Sequence, residues 1–255
     1  MLKYELKDTH THTGFSFDVP EGSVTAEDIC IAAKNAQLLG VAITDHLEVN
    51  SEVEGLYRKF DFEGRRTELG KAKEKYGDFL SVGIELGQPI HYPELAQRLL
   101  SEGGFEFVVG SVHNIRNTPD FALMDFQNMP CDKVDEYWDR YLDEYLELCD
   151  FPGIDAFAHL TYPLRYFGRS GYEPDISRWE GKICKILKKI KNRGAALEVN
   201  TSGYRKNMLG PLPPVYVLCL YSKIGGERIT LGSDAHRACD VGADFDKAIR
   251  EIKGI

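Results

Sequence analysis

Asp8-Thr9-His10-Thr11-His12 is the stretch that decides the fold, because it follows directly on the first predicted strand, which ends at Lys7-Asp8. Six further short apolar runs predict strands, and each is followed by an amphipathic stretch typical of a helix. These six strands are predicted to end at Ile43-Thr44, Gly83-Ile84, Val109-Gly110, Phe157-Ala158, Glu198-Val199 and Leu231-Gly232. The predicted helices cover 25–39, 65–76, 92–101, 132–149, 175–193, 213–224 and 242–253, and Thr25 is predicted to cap the first.

Seven consecutive strand-then-helix units predict a parallel sheet with right-handed crossovers, which can close into a barrel over this length. An open doubly wound sheet is the alternative, and the lack of a Gly-x-Gly-x-x-Gly motif after the first strand counts against it. No repeat or linker divides the 255 residues, so we expect a single domain over 1–255. The loops 47–64, 114–131 and 160–174 are long, as lids and binding loops often are.

Six of the seven histidines follow the carboxyl end of a predicted strand. The histidines and acidic residues at the ends of the predicted strands are His10, His12, Asp45, His46, Glu85, His113, His159, Asp234 and His236. A lone histidine on a strand is more often a hydrogen-bonded core residue than a ligand. However, the strand ends of a parallel barrel converge on one face, and imidazoles with carboxylates suit zinc, iron or manganese. The ordered set therefore predicts a metal centre, whereas His91 is predicted to be structural.

The composition is that of an acidic protein with isolated cysteines. The formal net charge is −9 and the pI is about 5.3, which argues against a nucleic-acid partner because binding to a phosphate backbone needs a concentrated basic surface. The six cysteines include no Cys-x-x-Cys pair, and we expect them to be reduced and mostly buried. The first five residues lack the apolar core of a signal peptide, and no apolar run approaches a membrane span. We therefore expect a cytoplasmic protein without a membrane partner.

Together, the strand-end motifs resemble those of the polymerase and histidinol phosphatase (PHP) family. The matching pieces span positions 8–236 in the family's order: His10-x-His12, Thr44-Asp45-His46, Gly83-x-Glu85, Gly110-Ser111-x-His113, Ala158-His159 and Gly232-Ser233-Asp234-x-His236. The resemblance implies a distorted (β/α)7 barrel of the PHP type with three divalent metal ions, zinc, iron or manganese. The stretches 159–165 and 197–206 look like those of stand-alone histidinol-phosphate phosphatases, which release inorganic phosphate from L-histidinol phosphate in histidine biosynthesis.

The resemblance also implies which side chains bind each metal. The first metal is implied to bind His10, His12, Glu85 and Asp234. The second is implied to share Glu85 and to bind His113 and His159. The third is implied to bind His46, His236 and Asp18, where some relatives carry histidine, and a carboxylate there favours harder ions. Asp45 is implied to orient a ligand, although a turn or helix-cap role is an equal alternative.

The chemistry expected at this centre is hydrolysis of a small phosphomonoester by a hydroxide that bridges two metals, whose water has a pKa near ~7. Arg165 and Arg205, together with His46 at the third metal, are expected to bind the phosphate, since arginine suits bidentate phosphate contacts. The other candidate catalytic residues are Asp234 and His236, with Asp234 relaying a proton to the leaving alkoxide. The rival arginines in the neighbouring loops are Arg116 and Arg169.

Two alternative functions stay open at this stage. One is an enzyme with the same metal site that hydrolyses another phosphomonoester, such as phosphotyrosine or a nucleotide. The other is a non-catalytic metal-binding module within a complex, which degenerate ligand positions would favour. The amine of histidinol phosphate requires an acidic partner, and the candidates in the long loops are Glu48, Asp61, Asp120 and Asp125.

Overall fold

The computed structural model describes residues 1–205 and 210–255, so Lys206, the last residue of the 197–206 stretch, lies outside the described residues. Its strands are β1 (Lys7–Thr11), β2 (Gly40–Ile43), β3 (His46–Glu48), β4 (Leu80–Gly87), β5 (Phe107–Ser111), β6 (Ala156–Phe157), β7 (Ala196–Asn200) and β8 (Ile229–Gly232). They pair in parallel in the order β2-β1-β8-β7-β6-β5-β4-β3, and a further pairing of β2 with β4 closes the ring. The predicted (β/α)7 barrel is confirmed, and the open sheet is wrong.

β3 is a short strand that the sequence did not predict. Val41 to Ile43 of β2 pair with the first half of β4, and β3 pairs with its second half, where His46 lies opposite Glu85. Thr44 and Asp45 interrupt the two pairings, and the Asp45 carbonyl oxygen accepts a hydrogen bond from Glu85 N at 3.1 Å. β2 and β3 therefore act as one broken barrel strand, which extends the wall and places His46 beside β4.

The helices lie between the strands. They are α1 (Ala26–Asn35), α2 (Ser51–Glu54), α3 (Phe62–Tyr76), α4 (Pro93–Gly103), α5 (Cys131–Leu148), α6 (Leu164–Phe167), α7 (Glu180–Arg193), α8 (Ser202–Arg205), α9 (Val215–Lys223) and α10 (Phe245–Ile252). The longer ones match the predicted helices, except that the 175–193 segment begins as a 3-10 turn over Ile176–Trp179. Thr25 and Asp28 form a capping box at α1, as predicted. The short helices α2, α6 and α8 were not predicted.

α5 shows how a helix outside the barrel helps to position the functional face. Its apolar stripe is fully buried at Val134, Trp138, Tyr141, Tyr145 and Leu148, whereas Tyr137 at the edge of the stripe is half-buried. Burial of such large side chains stabilises the packing of helix on barrel. In addition, the Tyr145 hydroxyl donates to the Ala158 carbonyl oxygen at 2.6 Å. This hydrogen bond anchors the chain just after β6, immediately before His159.

All six cysteines are free thiols, but the expectation that most are buried is wrong. Cys30 and Cys149 are buried, and burial raises the pKa of these thiols to about 11 and about 12 respectively, which keeps them protonated. Cys131 and Cys239 are exposed; Cys131 begins α5, and Cys239 lies in a 3-10 turn over Ala238–Asp240. Among the helices that the structure describes, none combines the length and apolar character that a membrane crossing requires.

Candidate metal centre

The nine predicted metal ligands lie together at the carboxyl end of the barrel. Glu85, fully buried near the end of β4, occupies the middle of the cluster. Its Oε2 lies 3.1 Å from His10 Nε2 and 2.8 Å from His46 Nδ1. Its Oε1 lies 3.1 Å from His113 Nε2 and 3.0 Å from His159 Nε2. One carboxylate thus faces imidazole nitrogens from four different barrel positions.

A second group surrounds Asp234, which follows β8. Its Oδ1 lies 3.4 Å from His12 Nε2, 4.0 Å from His10 Nε2 and 3.6 Å from His236 Nδ1. His10 and His12 point to the same side of β1, as residues two apart on a strand do. Asp234 has a φ of 54°, and His159 has a φ of 24°, so the backbone adopts left-handed conformations at two of the strand ends that carry these side chains.

A third group lies at the rim of the centre. Asp18 Oδ2 lies 2.8 Å from His236 Nε2 and 3.6 Å from His46 Nε2. The His12 ring stacks between the rings of His46 and His236, and its centroid lies 4.3 Å from that of His46 and 4.2 Å from that of His236. His46 therefore faces Glu85 with one ring nitrogen and Asp18 with the other, and it links the rim group to the middle of the cluster.

The buried atoms of this cluster that lack a hydrogen-bond partner among the described residues include His10 Nε2, His12 Nε2, His46 Nδ1 and Glu85 Oε2. Buried polar atoms are nearly always paired, so four such atoms facing one space indicate a missing positive group. Imidazole nitrogens and carboxylate oxygens are the donor set of divalent zinc, iron and manganese. The described ligand atoms also form several groups that lie within 4.8 Å of one another, among them His10, His12 and Asp234. The residues present fit divalent cations.

The pKa values of His12 and Glu85 favour cation binding, whereas neighbouring carboxylates outweigh burial and raise the pKa values of His10, His46 and His113, whose protons a cation would displace. Burial lowers the pKa of His12 to about 3, so that its ring is a neutral ligand. Burial alone would raise the pKa of Glu85, but the imidazoles of His10, His46 and His113 hold the pKa of this carboxyl well below its usual range. The ionised carboxylate then offers two anionic oxygens at the centre of the cluster.

The sequence analysis did not predict that two glutamates, Glu198 and Glu48, orient the histidines. Glu198 Oε1 lies 2.6 Å from His10 Nδ1, and its Oε2 accepts a hydrogen bond from His159 N at 2.8 Å. Glu48 Oε1 lies 2.8 Å from His113 Nδ1, so Glu48 is engaged by a histidine and is not free for a substrate amine. Partners of this kind fix the ring orientation of metal-binding histidines. The sequence did contain one sign of this role for Glu198. The predicted strand end Glu198-Val199 is the one that supplied no candidate ligand, and Glu198 is its acidic residue.

Asp45 supports the loop that follows β1. Its Oδ1 accepts hydrogen bonds from Thr13 N at 2.6 Å and from Ser16 Oγ at 3.0 Å, and its Oδ2 lies 2.6 Å from Arg65 Nε. Ser16 Oγ in turn lies 3.0 Å from His12 Nδ1. Asp45 therefore acts on His12 through Ser16, and the ion pair with Arg65 keeps the buried carboxylate charged.

We expect Arg65→Met to lower the free energy of unfolding by about 3–5 kcal/mol, because it leaves the buried Asp45 carboxylate without its cation. Arg65 is 3% exposed and also donates to the carbonyl oxygens of Ile43 and Gly83, at 3.0 and 2.7 Å. Urea unfolding measures the change. The neighbouring Arg66→Met is the control, since Arg66 is exposed and should change stability by less than about 0.5 kcal/mol. Equal losses in both variants would contradict the role of the pair.

The predicted phosphate-binding arginines approach the cluster from the β6 and β7 loops. Arg165 lies in α6, with a side chain that is 6% exposed; its Nη2 donates to Ser202 Oγ at 2.5 Å and lies 3.5 Å from Asp234 Oδ2. Its buried Nε has no hydrogen-bond partner among the described residues. Arg205 donates to the carbonyl oxygen of Ser233, the residue before Asp234. The Arg165 guanidinium therefore borders the Asp234 carboxylate, whereas the Arg205 guanidinium contacts the backbone before Asp234 and lies 3.5 Å from Asp244 Oδ2.

Among the described residues, neither rival arginine contacts Asp234, although Arg169 lines the same cavity as Arg165. Arg116 Nη2 lies 2.8 Å from Glu147 Oε2, and its backbone N–H donates to Glu144 Oε1 at 2.7 Å. Glu144 also lies 2.7 Å from His91 Nε2, so His91 is a structural residue, as predicted. Arg169 is exposed and lies over the Tyr166 ring, 5.0 Å from its centroid.

Comparison with known proteins connects this geometry to one family. The PHP domain family matches residues 8–202 of the chain. Proteins described as probable histidinol-phosphatases from Clostridium acetobutylicum and Thermotoga maritima are each 28% identical to it; the matches cover 95% and 96% of this chain and 91% of each relative. The crystal structure of histidinol phosphate phosphatase from Lactococcus lactis, complexed with zinc, L-histidinol and phosphate, is similar with a TM-score of 0.78 and 20% identity. That match covers 98% of this chain and 95% of that one, and it supports the barrel fold.

Proposed function

The chain belongs to the PHP domain family, and on that premise we propose that it is a phosphoric monoester hydrolase that converts L-histidinol phosphate to L-histidinol and inorganic phosphate, a step of histidine biosynthesis. The observation that carries this proposal is the buried Glu85 carboxylate, surrounded by imidazole nitrogens at 2.8–3.1 Å. A site of this composition binds divalent cations, and the arginines beside it match a phosphate group.

We assign three divalent ions to the cluster, with the ligand sets that the sequence motifs imply. The buried atoms without partners support the sites that include Glu85, His10 and His12. The contacts of Asp18 with His46 and His236 support the third site, where a carboxylate stands in place of an imidazole. When bound, the ions lower the pKa of a coordinated water and neutralise the charge on the phosphoryl oxygens.

The residues of the chain then position the phosphate and move a proton. Arg165 presents its guanidinium beside Asp234 and can bind two phosphoryl oxygens, with Arg205 behind it. Asp234 Oδ2 accepts a hydrogen bond from Ser202 Oγ at 3.0 Å, which orients the carboxylate toward the phosphate. We assign to the ionised Asp234 the uptake of the proton released by the attacking water and its transfer to the leaving oxygen, with His236 Nδ1 3.6 Å from its Oδ1 as the adjacent group.

We also propose that the enzyme is one PHP domain over residues 1–255 and that it works in the cytoplasm. The buried core draws on residues from Leu2 to Ile252, which supports a single domain. The free thiols, two of them exposed, are typical of a reducing compartment and support the location.

A panel of phosphomonoesters tests the function, with release of inorganic phosphate as the measurement. We expect kcat/KM for L-histidinol phosphate to exceed that for p-nitrophenyl phosphate, phosphotyrosine and nucleotides by about 100-fold or more. Chelation should abolish the activity, and zinc, manganese or iron should restore it, with elemental analysis giving the metal content. Comparable turnover of all substrates would indicate another phosphomonoesterase. A metal-loaded protein that hydrolyses none of them would indicate a non-catalytic module.

A further inference from the structure

Asp120 is a buried carboxylate beside the metal centre, in the loop between β5 and α5. The loop is held against a predicted ligand, because Phe121 N donates to the His113 carbonyl oxygen at 3.0 Å. The Phe121 side chain is fully buried, and Asp120 itself is 9% exposed. Asp120 therefore has a defined position next to His113.

The hydrogen-bond donors to this carboxylate are all neutral. Tyr162 OH donates to Oδ1 at 3.1 Å, Ala122 N donates to Oδ1 at 2.7 Å, and Tyr57 OH donates to Oδ2 at 3.4 Å. Tyr162 OH receives a hydrogen bond from Tyr166 OH at 3.0 Å, which directs its own proton to Asp120. Among residues 1–205 and 210–255, no lysine, arginine or histidine nitrogen lies within 4.0 Å of Asp120. Burying a charge without a cation is costly, so the site is suited to a cation that arrives from outside.

The other acidic candidates of the long loops are excluded by their contacts. Glu48 is engaged by His113, as described above. Asp61 is exposed and caps α3 by accepting from Gly64 N at 2.9 Å. Asp125 is exposed and accepts from Gln127 N at 2.8 Å. Among the described residues, Asp120 is the member of this set that is buried, lies near the centre and has no histidine partner.

Tyr162 connects Asp120 to the phosphate end of the site. Its hydroxyl contacts Asp120, whereas its ring lies 5.3 Å from the guanidinium carbon of Arg165 and 4.9 Å from the His113 ring. The carboxylate and the guanidinium are thus separated by about one tyrosine side chain. A small substrate that carries a phosphate and an amine a few bonds apart matches this separation, with its anion at Arg165 and its cation at Asp120.

We propose that Asp120 binds the ammonium group of the substrate and makes the enzyme selective for amine-bearing phosphomonoesters. This inference rests on the proposed phosphatase function and adds the group that distinguishes the substrate from other phosphomonoesters. Tyr57 and Tyr162 position the carboxylate, and the Phe17 ring, stacked 3.9 Å from Tyr57, completes the wall on the side of His46.

The test compares L-histidinol phosphate with its deamino analogue, which has the same imidazole and phosphate but no amine. In Asp120→Asn, which keeps the size and one acceptor oxygen but removes the charge, the ratio of the two kcat/KM values should fall by about 100-fold, mainly through KM. The matched control is Asp125→Asn, an exposed aspartate in the same loop, which should leave the ratio at the wild-type value. Because Asp120 has no cation partner among the residues that the structure describes, we expect the asparagine variant to unfold at no lower a temperature than the wild type.

An unchanged ratio in Asp120→Asn, or equal losses on both substrates, would overturn the inference. If the asparagine variant does not fold, Asp120→Ser provides the same comparison. If the wild type shows no preference for L-histidinol phosphate, the proposed function fails, and ethanolamine phosphate with ethyl phosphate then tests Asp120 separately. The inference is supported if the wild type prefers the amine-bearing substrate and Asp120→Asn loses this preference. It is overturned if the variant keeps the preference or if the wild type has none.

Discussion

Glu85→Gln should lower kcat by about a thousand-fold or more and should reduce the metal content of the purified protein. The two oxygens of Glu85 face imidazole nitrogens of His10, His46, His113 and His159. Glutamine has the same size, but it replaces one anionic oxygen by an NH₂ group, which cannot bind a cation. The substitution therefore removes the charge that the two proposed metal sites share.

Elemental analysis and steady-state phosphate release measure the two effects of Glu85→Gln. Glu144→Gln is the matched control, because Glu144 is also a buried glutamate that contacts a histidine, 2.7 Å from His91 Nε2, but it lies outside the cluster. We expect Glu144→Gln to reduce stability while keeping the metal content of the wild type. A Glu85→Gln protein with full metal content and normal kcat would refute the central position of this carboxylate.

Arg165→Ala should lower kcat/KM by about 10²–10³-fold. The guanidinium lies 3.5 Å from the Asp234 carboxylate, its side chain is almost fully buried, and it borders the site where the phosphate is expected to bind. Removing it takes away the positive charge that stabilises the phosphoryl oxygens as charge moves during hydrolysis. Arg165→Lys should recover only part of the loss, since an ammonium cannot bind two oxygens in the planar arrangement of arginine.

Arg169→Ala provides the control for Arg165, because it removes an exposed arginine four residues further along the chain. Its kcat/KM should stay within about twofold of the wild-type value. Inhibition by inorganic phosphate is a second measurement, which Arg165→Ala should weaken and Arg169→Ala should leave unchanged. Equal behaviour of the two variants would show that Arg165 does not bind the phosphate.

Much of the fold, and the gathering of the histidines and carboxylates at one end of the barrel, could be predicted because both depend on local patterns. Apolar runs of strand length alternate with helical periodicity, and this alternation predicts parallel strands whose ends converge. Once the strands are located, residues such as His10, Glu85 and His159 fall at the strand ends, and barrel closure brings them together. The broken β2–β3 strand was missed because Thr44 and Asp45 interrupt its pairing and a three-residue strand has no periodicity of its own.

The partners of the ligands could not be predicted in the same way. Glu198 reaches His10 from 188 positions away, and Arg65 reaches Asp45 from the first turn of α3. Each contact depends on side-chain rotamers and on how the elements of the barrel pack together, and a local sequence pattern predicts neither. The choice of Asp120 among four acidic loop residues is of the same kind, because burial and neutral donors distinguish it and sequence position does not.

The sequence by itself thus determined the strand-and-helix order and the chemistry at each strand end, since hydrophobic period and residue type are properties of short segments. Only the tertiary structure decided which carboxylates orient histidines, which arginine borders Asp234 and which aspartate is left for an incoming cation. These depend on distances between residues far apart in the chain, and barrel closure determines those distances.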